Sequence, residues 1–133
     1  MTGEIHIPIH SDSDIVTARQ KGRAMATETG FSGSDSTMIA TAISEVARNI
    51  VTYAQKGEVI LSVANLDNKY CLIVEARDEG PGIANIQLAL QDGYSTSGSL
   101  GLGLPGARRL MDEFEIQSEI GRGTTIVMKK WKH

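Results

Sequence analysis

The stretch Asp78-Glu79-Gly80-Pro81-Gly82-Ile83 is separated by three residues from a preceding apolar run, Tyr70-Cys71-Leu72-Ile73-Val74. The apolar run predicts a buried strand, so Asp78 stands where that strand leaves the core. Gly80 and Gly82 allow the backbone to turn sharply and to approach a ligand closely. A partly buried aspartate at such a point can accept a hydrogen bond from an exocyclic amine, such as that of adenine. An Asp-Gly turn that only reverses the chain is the alternative.

A second glycine-rich stretch, Tyr94 to Gly106, follows in the sequence. Its glycines Gly98, Gly101 and Gly103 lead into a helix predicted from about Leu104 to Glu113. Exposed backbone N–H groups and a helix N-terminus together form an anion site, although a flexible linker fits the glycines equally well. The sequence lacks a G-x-x-x-x-G-K-[ST] motif, which excludes a P-loop, and it lacks the H-R-D and D-F-G motifs of ordinary protein kinases.

Upstream, apolar residues at helical spacing predict a long helix from about Ser36 to Ala54. Glu45 and Asn49 are four residues apart, so their side chains lie on one face of that helix. The pair can begin a magnesium site, because Mg²⁺ takes oxygen ligands and needs only one or two from the protein. Alternatively the carboxylate is a general base and the amide alone holds the ion. An ordinary solvated pair between Glu45 and Arg48 is the simpler interpretation.

The remaining pattern predicts an α+β protein. A first helix, carrying Ile15, Ala18, Gly22, Met25 and Ala26 at helical spacing, is expected to end at Gly30. The predicted strands and turns are a short strand at Ile5, Ile7 and Ile9, a strand from Glu58 to Leu66, a turn at Asp67-Asn68-Lys69, a strand from Tyr70 to Asp78, and the last pair from Phe114 to Glu119 and from Thr124 to Trp131. We therefore expect a two-layer α/β sandwich with a mixed, mostly antiparallel sheet and helices on one face.

Length and composition limit the possible classes. The chain has 133 residues, which predicts a single domain spanning residues 1–133. A formal net charge of -3 argues against a nucleic-acid partner, and Lys129, Lys130 and Lys132 are interpreted as a solvated strand edge. The one cysteine, Cys71, is expected to be a buried, inert thiol. The sequence shows neither a signal peptide nor a membrane span, which predicts a cytoplasmic protein without a membrane partner.

The three motifs, taken in order, are more specific than any one of them. They are Glu45-x-x-Arg48-Asn49, Asp78-x-Gly80-x-Gly82 and Gly101-x-Gly103-x-x-Gly106, with Gly123-Thr124 closing the set. Together they resemble the Bergerat-type (GHKL) ATP-binding fold of DNA gyrase, histidine kinases and mismatch-repair ATPases. The segments Ala42–Ile50, Asp92–Gly98 and Leu104–Phe114 resemble, more narrowly, the RsbT-type serine/threonine switch kinases of the bacterial stressosome, in the anti-sigma-factor kinase branch.

The resemblance implies a role for each matching residue. Glu45 would be the catalytic base that takes the proton from the acceptor hydroxyl, and Asn49 would hold Mg²⁺ between the phosphates of ATP. Asp78 would bind the adenine amino group, with Gly82 and Thr124 supporting the base directly or through water. The nucleotide-binding positions that it implies are therefore Asn49, Asp78, Gly80, Gly82, Gly98, Gly101, Gly103 and Thr124. Of these, Gly98, Gly101 and Gly103 would form a glycine-rich ATP lid.

The resemblance also implies the partners. The acceptor would be a serine or threonine of a STAS-domain scaffold or antagonist protein, and the released kinase would activate a partner phosphatase in a stress-response partner switch. Two alternatives stay open: a nucleotide-gated anti-sigma or partner-switch binding module with little catalysis, and the isolated ATPase domain of a sensor histidine kinase. Ser99 and Leu102 depart from the smaller residues usual in the family's lid.

Overall fold

The computed structural model describes residues 3–82 and 103–132. Over these residues the chain forms one five-stranded sheet, three α-helices and one π-helical turn. The elements in chain order are β1 (Ile5–Ile9), α1 (Asp12–Thr29), α2 (Gly33–Asn49), the π-helical turn (Ile50–Ala54), β2 (Gly57–Leu66), β3 (Lys69–Asp78), α3 (Gly103–Leu110), β4 (Glu113–Glu119) and β5 (Gly123–Trp131).

The sheet has the strand order β1-β2-β3-β5-β4, and all four pairings are antiparallel. The two-layer α/β sandwich is confirmed, but no parallel pair occurs among the described strands, so the sheet is not mixed. One row of apolar residues crosses all five strands in register: Ile7, Val59, Ala76, Ile126 and Ile116. This row is part of the hydrophobic core between the sheet and the helices. Packing in that core fixes the positions of the helices on the sheet.

Helix α1 follows its predicted pattern closely. Its buried residues are Ile15, Ala18, Gly22, Met25 and Ala26. At the start of the helix, the Asp14 carboxylate accepts the N–H groups of His10 at 2.9 Å and Ser11 at 3.2 Å. The His10 hydrogen bond is the main cause of the lowered pKa of Asp14. Gly30 ends the helix with φ 99°, a left-handed conformation that glycine adopts without a steric penalty.

Helix α2 begins at Gly33, earlier than the predicted Ser36, because Ser32 caps it: the Ser32 hydroxyl accepts the N–H of Asp35 at 3.0 Å. The regular α-helix ends at Asn49, and the chain continues through Ile50–Ala54 as a π-helical turn. Short π-helical segments are rare in proteins overall, and those that occur are often found at functional sites. The predicted end near Ala54 is therefore confirmed, although the last turn is wider than an α-helix.

Two other boundaries differ from their predictions. Asp67 and Asn68 both have positive φ, as a two-residue hairpin turn requires, so Lys69 already pairs with Leu66 in the sheet. Helix α3 ends before the predicted Glu113. It does so because the Asp112 N–H donates to the Lys129 carbonyl at 2.9 Å, which begins the pairing of β4 with β5.

Lys130 does not belong to a solvated edge, contrary to the interpretation of the three lysines. It lies on β5, which has a neighbouring strand on each side, and only 9% of the residue is exposed. Its ammonium group donates to the Leu110 carbonyl at 2.8 Å and lies 3.9 Å from the Asp112 carboxylate. A cation near the C-terminus of a helix stabilises that helix. Lys130 therefore stabilises the end of α3 and links it to the sheet.

Cys71 is fully buried, as its apolar surroundings predict. Burial disfavours the charged thiolate and raises the pKa of Cys71, which leaves an unreactive thiol. In the described part of the chain, no helix combines the length and the apolar character that crossing a membrane requires.

Gly57, the first residue of β2, provides a test of the packing between the start of β2 and the end of β3. A methyl group at Gly57 would overlap the backbone carbonyl oxygen of Arg77, whereas one at Gly33 would meet no atom within 4 Å. We expect Gly57→Ala to lower the free energy of unfolding by about 1–3 kcal/mol, and Gly33→Ala to change it little. Urea denaturation measures both values, and equal stabilities of the two variants would contradict this packing.

Candidate active site

Asp78 lies at the end of β3, where it is half-buried. Its Oδ1 accepts the backbone N–H groups of Gly80 at 2.9 Å and Thr124 at 3.3 Å. Within the described residues, no hydrogen bond is donated to the other oxygen, Oδ2. The backbone therefore fixes the direction of the carboxylate and leaves one oxygen available to a ligand that carries a donor.

The glycines around Asp78 are required by contacts inside the protein. A side chain at Gly80 would collide with Ala54 of the π-helical turn, and one at Gly82, where φ is 81°, would collide with the Glu119 carbonyl. Gly123 has φ 116°, and a side chain there would collide with the carbonyl of Asp78. The described contacts show that Gly80 and Gly82 let three segments of the chain meet behind Asp78. Their approach to a ligand, which the sequence predicted, stays a prediction.

Thr124 stands directly opposite Asp78 in the pairing of β3 with β5, and it is only 5% exposed. Its hydroxyl shares a hydrogen bond of 2.8 Å with the Ser118 hydroxyl, which also donates to the Gly123 carbonyl at 3.1 Å. Ser118 was not among the predicted site residues. The sequence contained a signal for this residue, because Ser118 follows Phe114 and Ile116 at a spacing of two residues. It is therefore a polar residue on the same, partly buried face of the strand.

Glu45 is buried on α2, with only 6% of the residue exposed. One carboxylate oxygen, Oε1, accepts a hydrogen bond from Nη1 of Arg48 at 2.8 Å. The other, Oε2, accepts the backbone N–H of Gly103 at 2.7 Å. The simple pair between Glu45 and Arg48 is thus real, but the carboxylate is not solvated, and it has a second partner far away in the sequence.

Gly103 is the first residue of α3, so the N-terminus of that helix faces Glu45. Its φ of 65° is left-handed, which favours glycine at this position. Free N–H groups at a helix N-terminus attract anions, and here one of them binds a carboxylate. Of the predicted lid glycines, Gly98 and Gly101 lie outside the described residues, and only Gly103 is located.

Asn49 is the last residue of α2 and is half-buried, one helical turn beyond Glu45. The next residue, Ile50, lies beside the end of β3, because a Cβ built on Gly57 would be 2.9 Å from Ile50 Cγ2 and 3.0 Å from Asp78 Cβ. The C-terminal end of α2, the end of β3 and the start of α3 therefore lie in one region of the molecule. The sequence predicted these three segments to act together.

The donor chemistry of this region fits a magnesium ion better than a transition metal. Among the described residues, no cluster of three or more His, Cys, Asp or Glu side chains is placed to hold a metal. Mg²⁺ does not need such a cluster, since it keeps several waters and takes one or two protein oxygens together with phosphate oxygens. The Asn49 amide oxygen, with a carboxylate one turn away, offers that chemistry.

Residues 10–130 match the sequence model of the family described as the histidine kinase-like ATPase domain. The match covers most of the chain, so the protein belongs to that family. The family membership agrees with the arrangement of α2, Asp78 and the start of α3, and it implies that the protein uses ATP.

Two relatives and one solved structure are similar to the chain. The chain is 50% identical to the serine/threonine-protein kinase RsbT of Bacillus subtilis (strain 168) over 132 residues, which cover 98% of both chains. It is 33% identical to an anti-sigma F factor of Geobacillus thermodenitrificans (strain NG80-2), over 98% of this chain and 93% of that one. The crystal structure of the RsbU and RsbW domains of Rv1364c from Mycobacterium tuberculosis superposes with a TM-score of 0.66 at 23% identity, covering 99% of this chain and 33% of that chain.

These comparisons confirm the sequence-based prediction of an RsbT-type protein serine/threonine kinase. The identity to RsbT extends over nearly the full length of both chains, so it supports the class of enzyme as well as the fold. The similarity to the solved RsbU and RsbW domains supports the fold alone, because the identity is low. The individual roles of the site residues stay predictions.

Proposed function

We propose that this kinase transfers the γ-phosphoryl group of ATP, with Mg²⁺, to a serine or threonine of a STAS-domain partner. The observation that carries the proposal is the hydrogen bond between Glu45 Oε2 and the Gly103 N–H at 2.7 Å. It joins a buried carboxylate to the N-terminus of a helix, and a helix N-terminus is a site for phosphate. This contact supports the proposal that the general base and a phosphate-binding element lie next to each other.

Asp78 is the proposed contact of the nucleobase. Its Oδ2 is free to accept a hydrogen bond from the adenine amino group, and Thr124 supports it from the neighbouring strand. Gly80 and Gly82 keep the turn behind Asp78 closely packed. We assign the phosphates to Gly98, Gly101 and Gly103, of which Gly103 lies beside Glu45.

Asn49 is the proposed ligand of Mg²⁺. When it is bound, the ion neutralises charge on the phosphate oxygens. Glu45 is the proposed general base: it takes the proton of the acceptor hydroxyl as the hydroxyl oxygen forms a bond to the γ-phosphorus and the bond from that phosphorus to the bridging oxygen of ADP breaks. Phosphoryl transfer depends mainly on positioning and charge, which this small site can supply.

The partners follow from the class of kinase. We propose that the acceptors are STAS-domain scaffold and antagonist proteins, and that the kinase activates a partner phosphatase once it is released from them. One domain spanning residues 1–133 would perform both the catalytic and the binding tasks. Since ATP is the phosphoryl donor, we place the reaction in the cytoplasm.

A nucleotide-gated binding module is the second candidate. One observation favours it: both carboxylate oxygens of Glu45 already accept hydrogen bonds, from Arg48 and Gly103. A carboxylate oxygen has two lone pairs, so these bonds leave capacity for a proton. The kinase is therefore the better supported function, and the rate of transfer distinguishes the two.

The base and the metal ligand are tested by replacing them separately. Glu45→Gln keeps the shape of the side chain but removes its basicity, so we expect the transfer of labelled phosphate from ATP to STAS-domain proteins of the native cytosol to slow by about 100-fold or more. Asn49→Ala should abolish the transfer, because the ion loses its protein ligand. Glu115→Gln, an exposed change on β4, is the matched control and should keep the normal rate.

Normal transfer by both Glu45→Gln and Asn49→Ala would contradict these roles. A protein that binds ATP and STAS-domain partners tightly, but never phosphorylates them even as the wild type, would favour the binding module instead.

The adenine contact is tested by Asp78→Asn. The asparagine carbonyl can accept the two N–H groups that now reach Oδ1, so its NH₂ group must face the ligand. Two donors then oppose each other at the adenine amino group, and we expect ATP to bind about 10- to 100-fold more weakly. Isothermal titration calorimetry measures the dissociation constant, and circular dichroism checks that the fold is kept.

Asp67→Asn, at the tip of the hairpin between β2 and β3, is the matched control and should bind ATP like the wild type. Unchanged affinity of Asp78→Asn would show that the adenine contact lies elsewhere.

A further inference from the structure

In the ion pair between Glu45 and Arg48, the carboxylate is almost completely buried. The Glu45 side chain is 6% exposed, the Arg48 side chain is 38% exposed, and Nη1 lies 2.8 Å from Oε1. By contrast, in the described pair of the same spacing, between Glu119 and Arg122, both side chains are largely solvent-exposed at 68% and 82%. A buried carboxylate needs a partner to offset its lost hydration, whereas an exposed one does not.

The guanidinium group is suited to this task. Arginine stays protonated at every physiological pH, and its planar N–H donors fix the orientation of a carboxylate. The i, i+3 spacing places both members of the pair within one turn of α2. Arg48 therefore holds Oε1 from a position on the same helix.

The two carboxylate oxygens consequently have different surroundings. Oε1 is directed at Arg48 on its own helix, and Oε2 is directed at the N-terminus of α3. Helix α3 is itself fastened at its other end, where Lys130 binds the Leu110 carbonyl at 2.8 Å. Oε2 lies 2.7 Å from the N–H of Gly103, one of the residues to which we assign the phosphates.

We propose that Arg48 is the positioning residue of the general base: by holding Oε1 it presents Oε2 of Glu45 to the acceptor hydroxyl. This inference rests on the proposed function of Glu45. Arg48 itself takes no part in the proton transfer. Loss of its side chain leaves the carboxylate free to rotate, so the base is present but incorrectly aimed, and misplacement of a reacting group slows catalysis more than it weakens binding.

Two other roles for Arg48 make different predictions. An arginine that contacts the ATP phosphates would contribute to nucleotide affinity and would act even without the base. An arginine that only stabilises α2 would change the free energy of unfolding and leave the transfer rate unaltered. A double-mutant cycle separates all three roles, because it measures whether the effect of Arg48 requires Glu45.

The experiment compares wild type, Arg48→Ala, Arg48→Lys, Glu45→Gln and the double variant, with the full chain, ATP, Mg²⁺ and a STAS-domain protein as acceptor. We expect Arg48→Ala to lower kcat by about tenfold while KM for ATP changes by less than about twofold. In the Glu45→Gln background, Arg48→Ala should cause no further decrease. Arg48→Lys should recover part of the rate, since it keeps the charge but loses the fixed orientation.

Arg77→Ala is the matched control. Arg77 forms ion pairs with Glu58 and Glu75 on the face of the sheet that the helices do not cover, and its removal should leave kcat unchanged. Circular dichroism and urea denaturation check the fold of each variant.

Three results would overturn the proposal. An equal loss of kcat from Arg48→Ala with and without Glu45 would mean that Arg48 acts on its own. A change in KM alone would make it a nucleotide contact, and a normal kcat would make the pair merely structural. A normal rate for Glu45→Gln would instead refute the base itself, and the role of Arg48 with it, so the two failures can be told apart.

Discussion

The hydrogen bond from the Gly103 N–H to Glu45 is the contact on which the arrangement of the site depends. It joins Gly103, the first residue of α3, to a residue of α2 that lies 58 positions earlier in the chain. The bond is formed by a carboxylate that is 6% exposed, where an unpaired charge would cost several kcal/mol. The same bond therefore stabilises the fold and places a candidate base beside a helix N-terminus.

The second half of the site depends on close approach of backbone segments. Gly80 and Gly82 bring the turn after Asp78 against the π-helical turn and the β4–β5 turn, and Gly123 allows β5 to start beside Asp78. Two backbone N–H groups then hold Oδ1 of Asp78. Because this orientation comes from the main chain, it is insensitive to most side-chain changes, and a ligand meets an acceptor that is already aimed.

Features that depend on the spacing of residues along the chain could be predicted from the sequence. The separation of Glu45 from Asn49 predicted a shared helical face, and the apolar run before Asp78 predicted its place at a strand end. Features that depend on tertiary contacts were missed. The buried position of Lys130 follows from the strand order, which local periodicity does not encode. The close approach of Gly80 to Ala54 of the π-helical turn also joins segments that are distant in the sequence. The pairing of Glu45 with Gly103 likewise required the fold.

The most direct test of the central claim is a crystal structure of the protein with Mg²⁺ and a non-hydrolysable ATP analogue. The proposed site predicts that the adenine amino group donates to Asp78 Oδ2, that Asn49 Oδ1 lies about 2.1 Å from the metal, and that the phosphates reach the N-terminus of α3. A nucleotide bound on another surface, with Asn49 and Asp78 both out of contact, would contradict it.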